Sequence, residues 1–312
     1  NNLGSGGGGG ASSGGASSGG QRRVLVTGAN RGIGLAICEA ILSDTDAVVL
    51  LGARDAAGSG AAAKAKLVAD DAARAERVHV VQIDVASDDS IAALAKLVAE
   101  KHAPLYAVMH NAGIAAEKVA DTLAVNFYGV RKLTAALLPH MAANGRVVVQ
   151  SSAAGPSYVA KLPETEQKLL CSSSVTQKEI DDYVKANIDA VASADNAAYA
   201  AYGFSKALVN ADMLRLSREL KDKLIVVACT PGFIETDLTN AMMQKMRGST
   251  AKEAGAKPPA VGAVAPMHLL FGTDGTVVSG HYYGSDAKRS PLHKYRDPGA
   301  PVYAGDQDAL GD

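Results

Sequence analysis

The chain's length, composition and charge already exclude several classes of protein. With 312 residues, 47% of them hydrophobic, it can bury a sizeable core in one domain. Thirty-one basic and thirty-two acidic residues leave a formal charge of −1, too balanced to attract nucleic acid or anionic membranes. Since the longest apolar runs are also far too short to cross a bilayer, we expect a soluble protein with small-molecule partners.

The chain opens with a low-complexity segment and then alternates between two kinds of element. Residues 1–20 are almost entirely Gly, Ser and Ala, which predicts a disordered N-terminal segment. From Arg23 onward, short β-rich runs alternate with longer segments rich in Ala, Leu and Lys, which predicts βαβ units and a doubly wound α/β fold with a parallel sheet. The predicted strands are Val24–Val26, Val48–Leu51, Val78–Ile83, Leu105–Met109, Val147–Val149 and Leu224–Cys229.

Two regions depart from this alternation. Residues 153–196 are rich in Ser, Pro, Lys and Glu, and we interpret them as an insertion. Within them, Thr176 and Glu179 form a capping box before apolar residues at helical spacing, which predicts a short amphipathic helix packed against the body. Residues 285–312 are polar and contain several prolines, which predicts a loosely ordered C-terminal tail. We therefore expect residues 21–284 to form a single domain.

A glycine-rich turn follows the first predicted strand and precedes an apolar-periodic helix. Glycines let the backbone turn tightly and approach a pyrophosphate, and the free N–H groups at the helix N-terminus can hold that anion. On the first βα turn of a doubly wound pattern, such a turn predicts a dinucleotide site. The residues concerned are Gly28, Asn30, Arg31, Gly32, Ile33 and Gly34.

The end of the second predicted strand indicates which dinucleotide binds. An acid there would bond the ribose 2′-hydroxyl of NAD, whereas an arginine would pair with the 2′-phosphate of NADP. Arg54 occupies this position, and Arg31 lies in the glycine turn, so two guanidinium groups can converge on one phosphate. We predict NADP(H), although Arg54 could be a solvated surface charge and Asp55 could take the role of the acid.

A tyrosine and a lysine four residues apart form the candidate catalytic pair. Tyr202 and Lys206 lie in a predicted helix, where this spacing places both side chains on one face. Hydride transfer to a carbonyl needs a proton donor, and a phenol with a pKa of about 10 is poorly matched to neutral pH unless a cation stabilises its phenolate. We expect Lys206 to lower the pKa of Tyr202 by roughly 3 units. Tyr128 and Lys132 have the same spacing, so this pattern alone leaves two pairs open.

The order of the motifs resembles that of the classical short-chain dehydrogenases/reductases over residues 23 to about 284. The resemblance implies a Rossmann-type doubly wound sandwich with a mostly parallel, seven-stranded sheet, and it favours Tyr202 over Tyr128 as the active tyrosine. The motifs are Thr27 to Gly34, Asn111-Ala112-Gly113, Asn126, Ser151-Ser152, Tyr202 with Lys206, and Pro231-Gly232.

The same resemblance implies roles for the catalytic residues. Ser152 would polarise the substrate carbonyl, with Ser151 as the alternative if the register differs by one residue. Asn126 would kink its helix and hold a water that relays protons towards Lys206. Taken singly, Ser152 could be a strand-end turn residue and Asn126 a helix irregularity.

Further cofactor contacts are implied by resemblance as well. Lys206 would bond the nicotinamide ribose and Thr236 the carboxamide, while Asp84 and Val85 would contact the adenine. Taken singly, Asp84 could be a helix cap. The remaining predicted contacts are Asn111, Ala112, Gly113, Tyr202, Pro231 and Gly232. The chain departs from the family pattern at His110, where an Asn is usual, and we expect this change to affect packing more than chemistry.

The long gap from Ser152 to Tyr202 is similar to that of the carbonyl-reductase branch. This resemblance implies reduction of aldehydes, ketones or quinones, and a monomer whose insertion covers the surface that oligomeric relatives pair. Apolar residues of the insertion, with Phe233, Leu238 and Met242, are expected to line the substrate pocket. Two alternatives stay open, namely an NADP-dependent alcohol or steroid dehydrogenase and a non-catalytic NADPH sensor.

Cysteine and histidine spacing bears on metals and compartment. The three cysteines show no paired spacing, which fits a reducing compartment, and a cytoplasmic location is our default expectation. The seven histidines lack the spacing and Cys neighbours of zinc sites, so we predict no metal.

Overall fold

A computed structural model describes residues 21–69 and 71–310, so the predicted disordered segment 1–20 lies outside the described residues. The strands are β1 (Arg23–Thr27), β2 (Val48–Ala53), β3 (Val78–Gln82), β4 (Leu105–His110), β5 (Met141–Gln150), β6 (Leu224–Cys229), β7 (Tyr282–Tyr283) and β8 (Arg289–Ser290). They form one sheet in the order β3-β2-β1-β4-β5-β6-β7-β8. All pairs are parallel except β7 with β8, so the predicted doubly wound, mostly parallel fold is confirmed.

The sheet has eight strands where seven were predicted. The extra strand, β8, has only two residues and pairs antiparallel with β7. It lies in the segment for which the sequence predicts little order, yet Leu292 and Tyr303 of that segment are buried. Two residues are too few to produce a readable hydrophobic period, which explains why the sequence pattern did not indicate this strand.

The helices occupy both faces of the sheet. They are α1 (Gly32–Asp44), α2 (Ala61–Val68), α3 (Ala72–Ala75), α4 (Asp88–Lys101), α5 (Val119–Leu123), α6 (Gly129–Leu137), α7 (Ala154–Val159), α8 (Glu164–Cys171), α9 (Gln177–Ala192), α10 (Ala197–Glu219), α11 (Asp237–Arg247), α12 (Pro259–Gly262) and α13 (Val264–Phe271). A π-helical turn, Ala124–Tyr128, joins α5 to α6, and a second one precedes α2 at Ala56–Gly60.

The strands are continuous apolar runs because both of their faces are covered. Every residue of β2 is buried, as expected for an interior strand of a parallel sheet. In β5, Val147 and Val149 pack in the cluster that contains α10, whereas Val148 packs in the cluster that contains α1 and α13. Successive side chains thus point into opposite layers of the core.

The insertion packs as three helices, α7 to α9, against α10. The predicted capping box is present: the Thr176 backbone N–H donates to Glu179 Oε2 at 2.8 Å, and the Glu179 N–H donates to Thr176 Oγ1 at 3.3 Å. The apolar face of α9 is buried against α10, as predicted, through Ile180, Tyr183, Val184 and Val191.

Candidate active site

The glycine turn lies where the carboxyl end of β1 meets the start of α1. Gly28 has φ +62°, and a Cβ on it would lie 3.0 Å from Ala112 Cα on the neighbouring loop. A Cβ on Gly34 would overlap the carbonyl oxygen of Gly28. Only glycine fits at these two positions, because a larger residue would collide with the neighbouring backbone. The N-terminus of α1 beside them has no side-chain cap, so its N–H groups can reach an anion.

Asn111 and Thr27 fasten this turn from behind. The Asn111 amide donates to the carbonyl oxygens of Thr27 at 2.9 Å and Gly28 at 3.1 Å. Thr27 Oγ1 in turn accepts from the backbone N–H groups of Asn111 and Ala112, both at 3.0 Å. The end of β4 therefore holds the end of β1, and the main contribution of the Asn111 side chain is to fix the shape of the turn.

A cleft of about 490 Å³ opens above the turn and is large enough for much of a nucleotide. Most of the predicted cofactor residues line it: Gly28, Asn30, Arg31, Gly32, Ile33, Arg54, Asp84, Val85, Asn111, Ala112, Gly113 and Thr236. Gly34 is buried within α1 instead of lining the cleft. Asp84 Oδ1 also accepts from the N–H of Ala86 at 3.0 Å, so its carboxylate shapes the local turn.

The rim of the cleft distinguishes the two candidate residues at the end of β2. Arg54 is exposed and lines the cleft. The Asp55 carboxylate accepts from the N–H groups of Gly58 at 2.9 Å and Ser59 at 3.0 Å, and these bonds lower its pKa. Because Asp55 is engaged in capping the next turn and does not line the cleft, Arg54 is the residue available to a ribose substituent.

Arg31 has a different neighbour from the one expected. Its guanidinium pairs with the carboxylate of Asp237, in the first turn of α11, at 2.5 Å. Asp237 follows Thr236, which caps α11 and whose Cγ2 lies 3.5 Å from a Cβ placed on Gly32. The ion pair thus joins the glycine turn to α11, and it engages the Arg31 guanidinium, which lines the nucleotide cleft as Arg54 does.

A second cleft, of about 410 Å³, adjoins the first and shares Ile33, Thr236 and Leu238 with it. The predicted residues Ser152, Tyr202, Pro231 and Gly232 line it, together with Phe233, Leu238 and Met242 as expected. From the insertion only Ala153 and Ala154 reach it, since α8 and α9 lie on the far side of α10. Several other lining residues were not predicted, among them Tyr199, Met243, Met246, Arg247, Tyr295, Arg296 and Pro298.

Some of these missed residues carried a sequence signal and others did not. Tyr199 lies one helical turn before Tyr202, and Met242, Met243 and Met246 recur at helical spacing. Tyr295 belongs to the C-terminal segment, where no periodicity pointed towards a pocket.

Tyr202 and Ser152 lie next to each other on the wall of the second cleft. Burial raises the pKa of Tyr202, and the nearby Ser152 hydroxyl offsets part of that rise. The hydroxyl is therefore protonated at neutral pH. Ser151 is 2% exposed and its Oγ lies 3.5 Å from the carbonyl oxygen of Lys206, away from both clefts. The geometry thus favours Ser152 over Ser151.

Lys206 is buried beneath the junction of the two clefts. Its Nζ donates to the Gln150 carbonyl oxygen at 2.7 Å and lies 5.6 Å from the centre of the Tyr202 ring. It also comes within 3.7 Å of a Cβ placed on Gly113, at the floor of the nucleotide cleft. Burial lowers the pKa of Lys206 to about 8. The pKa of Tyr202 is thus raised, with burial as the largest cause, and not lowered as the sequence predicted.

Asn126 lies in the π-helical turn between α5 and α6, consistent with the expected helix kink. Its Nδ2 donates to the Ile114 carbonyl oxygen at 2.8 Å and to Ser205 Oγ at 3.0 Å, while its Oδ1 accepts from the Ile114 N–H at 2.9 Å. The carboxamide therefore connects the loop after β4 to the helix that carries Lys206. The side chain thus bonds three atoms, namely the N–H and carbonyl oxygen of Ile114 and Ser205 Oγ, and the relay water expected at Asn126 stays a prediction.

The second tyrosine–lysine pair is directed elsewhere. Lys132 pairs with Asp88 at 2.7 Å on the surface, and Tyr128 packs against the core next to Phe127. Neither residue lines either cleft.

His110 is 2% exposed and bonds Thr134 Oγ1 at 2.8 Å, and burial lowers its pKa to about 3. Like Asn111, it serves the scaffold.

Residues 21–69 and 71–310 bear on metal binding and membrane spanning only through their own side chains and helices. These residues contain no group of three or more His, Cys, Asp or Glu side chains placed to bind a metal ion. No helix formed by them is long and apolar enough to span a membrane.

The fold and the two adjoining clefts define a dinucleotide-binding protein of the Rossmann type. Comparison with known proteins identifies its family. Residues 22–163 match the family model for short chain dehydrogenases. The chain is 32% identical to carbonyl reductase [NADPH] 3 of Rattus norvegicus over 263 residues, which cover 78% of this chain and 91% of that protein. It is 32% identical to carbonyl reductase [NADPH] 1 of Homo sapiens over 262 residues, with 78% and 90% coverage. The chain therefore belongs to the short-chain dehydrogenase/reductase family, as the motifs predicted.

Solved structures share the fold. Menthone neomenthol reductase from Mentha piperita aligns with a TM-score of 0.65 at 20% identity, covering 86% of this chain and 99% of that one. The NADPH-bound carbonyl reductase from chicken fatty liver aligns with a TM-score of 0.62 at 24% identity, covering 86% and 98%. At these identities the likeness supports the architecture.

Proposed function

We propose that this protein is an NADPH-dependent carbonyl reductase that transfers hydride to aldehydes, ketones or quinones. The observation that carries the proposal is that Tyr202 and Ser152 lie next to each other on the wall of a largely apolar cleft that adjoins the nucleotide cleft. Two hydroxyl groups in such a place can receive one carbonyl oxygen. The curated relatives at 32% identity, named as NADPH carbonyl reductases, support the same function.

The cofactor proposal rests on the residues that surround the nucleotide cleft. The glycine turn leaves the N–H groups of α1 accessible to a pyrophosphate. Arg54 is free on the rim for a 2′-phosphate, whereas the Asp55 carboxylate is engaged by Gly58 and Ser59. These residues fit NADP(H), and bound NADPH would supply the hydride.

The chain's own residues account for binding and protonating the carbonyl. Ser152 and Tyr202 donate hydrogen bonds to the carbonyl oxygen, which stabilises the negative charge that develops there. The raised pKa of Tyr202 keeps its proton in place at neutral pH, so the phenol can act as the acid of the reduction. Lys206, with a pKa of about 8, provides a nearby positive charge that favours proton release. Asn126 positions α10 against the loop that contains Ile114.

The raised Tyr202 pKa also separates reduction from the alternative dehydrogenase function. Alcohol oxidation needs the phenolate as a base, and that form is scarce at neutral pH when burial raises the pKa. We therefore expect kcat/KM for carbonyl reduction to be level near neutrality and to fall at alkaline pH. Oxidation of the matching alcohol should rise with pH over the same range.

The test follows the absorbance of NADPH, or of NADH, with a panel of quinones, aromatic aldehydes and ketones. Tyr202→Phe should lower kcat by about a hundredfold or more with little change in NADPH affinity, since it removes the proton donor. Tyr128→Phe is the matched control, because this tyrosine lies outside both clefts, and it should keep wild-type activity. NADPH binding without turnover of any substrate would contradict the proposal and favour a sensor.

We also propose that the chain acts as a single-domain monomer, in which the segment after residue 284 belongs to the domain through β8. The insertion supports this proposal because α9 covers one face of α10 with apolar contacts. Arg131 of α6 joins the two helices, since it bonds Asp181 of α9 at 2.6 Å and Asp212 of α10 at 2.9 Å. A second copy cannot pack on α10 while α9 occupies that face. Light scattering coupled to size exclusion should give the mass of one chain, 31.8 kDa, and a dimer mass would contradict the proposal. A cytoplasmic location also stays a prediction.

A further inference from the structure

The charges around the substrate cleft are all of one sign. Of the described residues that line it, only Arg247 and Arg296 carry a full charge, and none has a carboxylate. The rest of the wall is apolar, aromatic or hydroxylic. An anionic group that enters this cleft therefore meets no like charge.

The two arginines differ in what they already bind. The Arg296 guanidinium is 6% exposed and pairs with Asp286 at 2.5 Å, and it also donates to Ser290 Oγ at 2.9 Å and to the Ala300 carbonyl oxygen at 2.8 Å. The donors of the Arg296 guanidinium are thus engaged by residues of the C-terminal segment. Arg247 is exposed and has no ion pair or hydrogen bond with any residue that the structure describes.

The position of Arg247 on α11 directs it along the cleft. Residues four apart share one helix face, so Arg247 continues the line of Thr239 and Met243, which also line the cleft. Thr239 is near the start of α11, next to Thr236 at the boundary with the nucleotide cleft. Since α11 has 11 residues and rises about 1.5 Å per residue, Arg247 stands about 15 Å further along the helix axis than Asp237. Arg247 is therefore separated by most of the length of α11 from the boundary with the nucleotide cleft, and Met242, Met243 and Met246 of this helix line the substrate cleft.

Two other cations at α11 are paired. Lys245 pairs with Glu117 at 2.8 Å and Arg31 with Asp237 at 2.5 Å. Among the residues that the structure describes, Arg247 is the basic residue of this helix that lines the substrate cleft, and its donors have no described partner. A guanidinium in this state is suited to a bidentate bond with a carboxylate.

We propose that Arg247 is a specificity-determining residue that binds a carboxylate of the substrate, so that the preferred substrates are carbonyl compounds with an apolar or aromatic body and a carboxylate remote from the carbonyl. This inference rests on the proposed carbonyl reductase function. Met242, Met243 and Met246 supply an adaptable apolar surface between the two polar ends of such a substrate.

The test compares 4-benzoylbenzoate with its neutral methyl ester. For the wild type, we expect kcat/KM to be about tenfold higher for the acid, mainly through KM, and the ratio to fall as salt is added. Arg247→Met should abolish this ratio by lowering kcat/KM for the acid far more than for the ester, and Arg247→Lys should restore part of it. Lys245→Met is the matched control: it removes a charge from the same helix but from outside the cleft, and should keep the ratio.

A binding measurement separates failure of this inference from failure of the proposed function. Titration calorimetry of both compounds into the NADP⁺-loaded protein reports their affinities where no hydride can be transferred. Tighter binding of the acid that is lost in Arg247→Met supports the inference even if neither compound is reduced. Equal affinities of the wild type for the acid and the ester would overturn the inference. A preference for the acid that persists in Arg247→Met would also overturn it, and would be expected if Arg247 only stabilises the C-terminus of α11.

Discussion

The guanidinium of Arg31, in the glycine turn, pairs with the carboxylate of Asp237, in the first turn of α11, at 2.5 Å. Both side chains are about two-thirds exposed, at 67% and 68%, so water screens the pair and it contributes little to stability. The pair matters more for cofactor binding, because the Asp237 carboxylate neutralises the charge of Arg31, which lines the nucleotide cleft.

Asp237→Asn should therefore strengthen NADPH binding. Without the carboxylate, Arg31 is free to attract the phosphates, and the expected gain is up to about fivefold in Kd, the range of an exposed ion pair. Fluorescence titration with NADPH measures the change. Glu117→Gln, which breaks the other ion pair of α11 with Lys245, should leave Kd unaltered. A weaker affinity in Asp237→Asn would mean that the pair instead holds the cleft in its binding form.

Arg54 should decide between the two nicotinamide cofactors. Arg54→Ala removes the free guanidinium on the rim of the cleft, and we expect Kd for NADPH to rise by about 10-fold to 100-fold, as for a lost charge-assisted bond. Affinity for NADH should be nearly unchanged. The matched control is Lys66→Ala, an exposed cation on the following helix, α2, that does not line the cleft. A proportional loss for both cofactors would contradict a role at the 2′-phosphate.

Lys206 makes the stability of the protein depend on pH. Its folded-state pKa is lowered from 10.5 to about 8, so the unfolded chain binds the extra proton between these values. Stability due to this group therefore rises as pH increases from about 8 to about 10.5, and at neutral pH the buried ammonium costs at most about 3 kcal/mol.

Lys206→Met should accordingly unfold at higher urea concentration than the wild type at pH 7. The difference in unfolding free energy should shrink as the pH is raised through the window above. Activity should be lost in the same variant. A less stable variant at neutral pH would show that the bond from Nζ to the Gln150 carbonyl oxygen outweighs the desolvation of the ammonium.

Asn126 should matter for stability as well as for catalysis. Asn126→Ala leaves the Ile114 N–H and carbonyl group and the Ser205 hydroxyl without their partner, at a cost of about 2 kcal/mol or more. Urea unfolding measures the loss. Asn187→Ala is the control, because its amide bonds only the Tyr183 carbonyl oxygen within α9, and it should change stability by less than about 0.5 kcal/mol. Equal losses in the two variants would contradict the special position of Asn126.

The sequence by itself was sufficient for the fold class and for the dinucleotide site. Strands of a parallel sheet are buried on both faces, so their apolar runs are visible without any partner, and the glycine turn is recognised by its position between a strand and a helix. The helix α9 was likewise predicted from its capping box and its apolar spacing. These features depend on interactions between residues close in the chain.

Only the tertiary structure decided which side chains meet across the clefts. It directed Ser152, and not Ser151, towards Tyr202, and it paired Arg31 with Asp237, 206 residues away. The direction of the Tyr202 pKa shift was set by burial, which depends on everything packed around the phenol. Tyr295 came to the substrate cleft from a segment without periodicity. Such contacts are selected by the packing of distant segments, and local sequence patterns do not encode them.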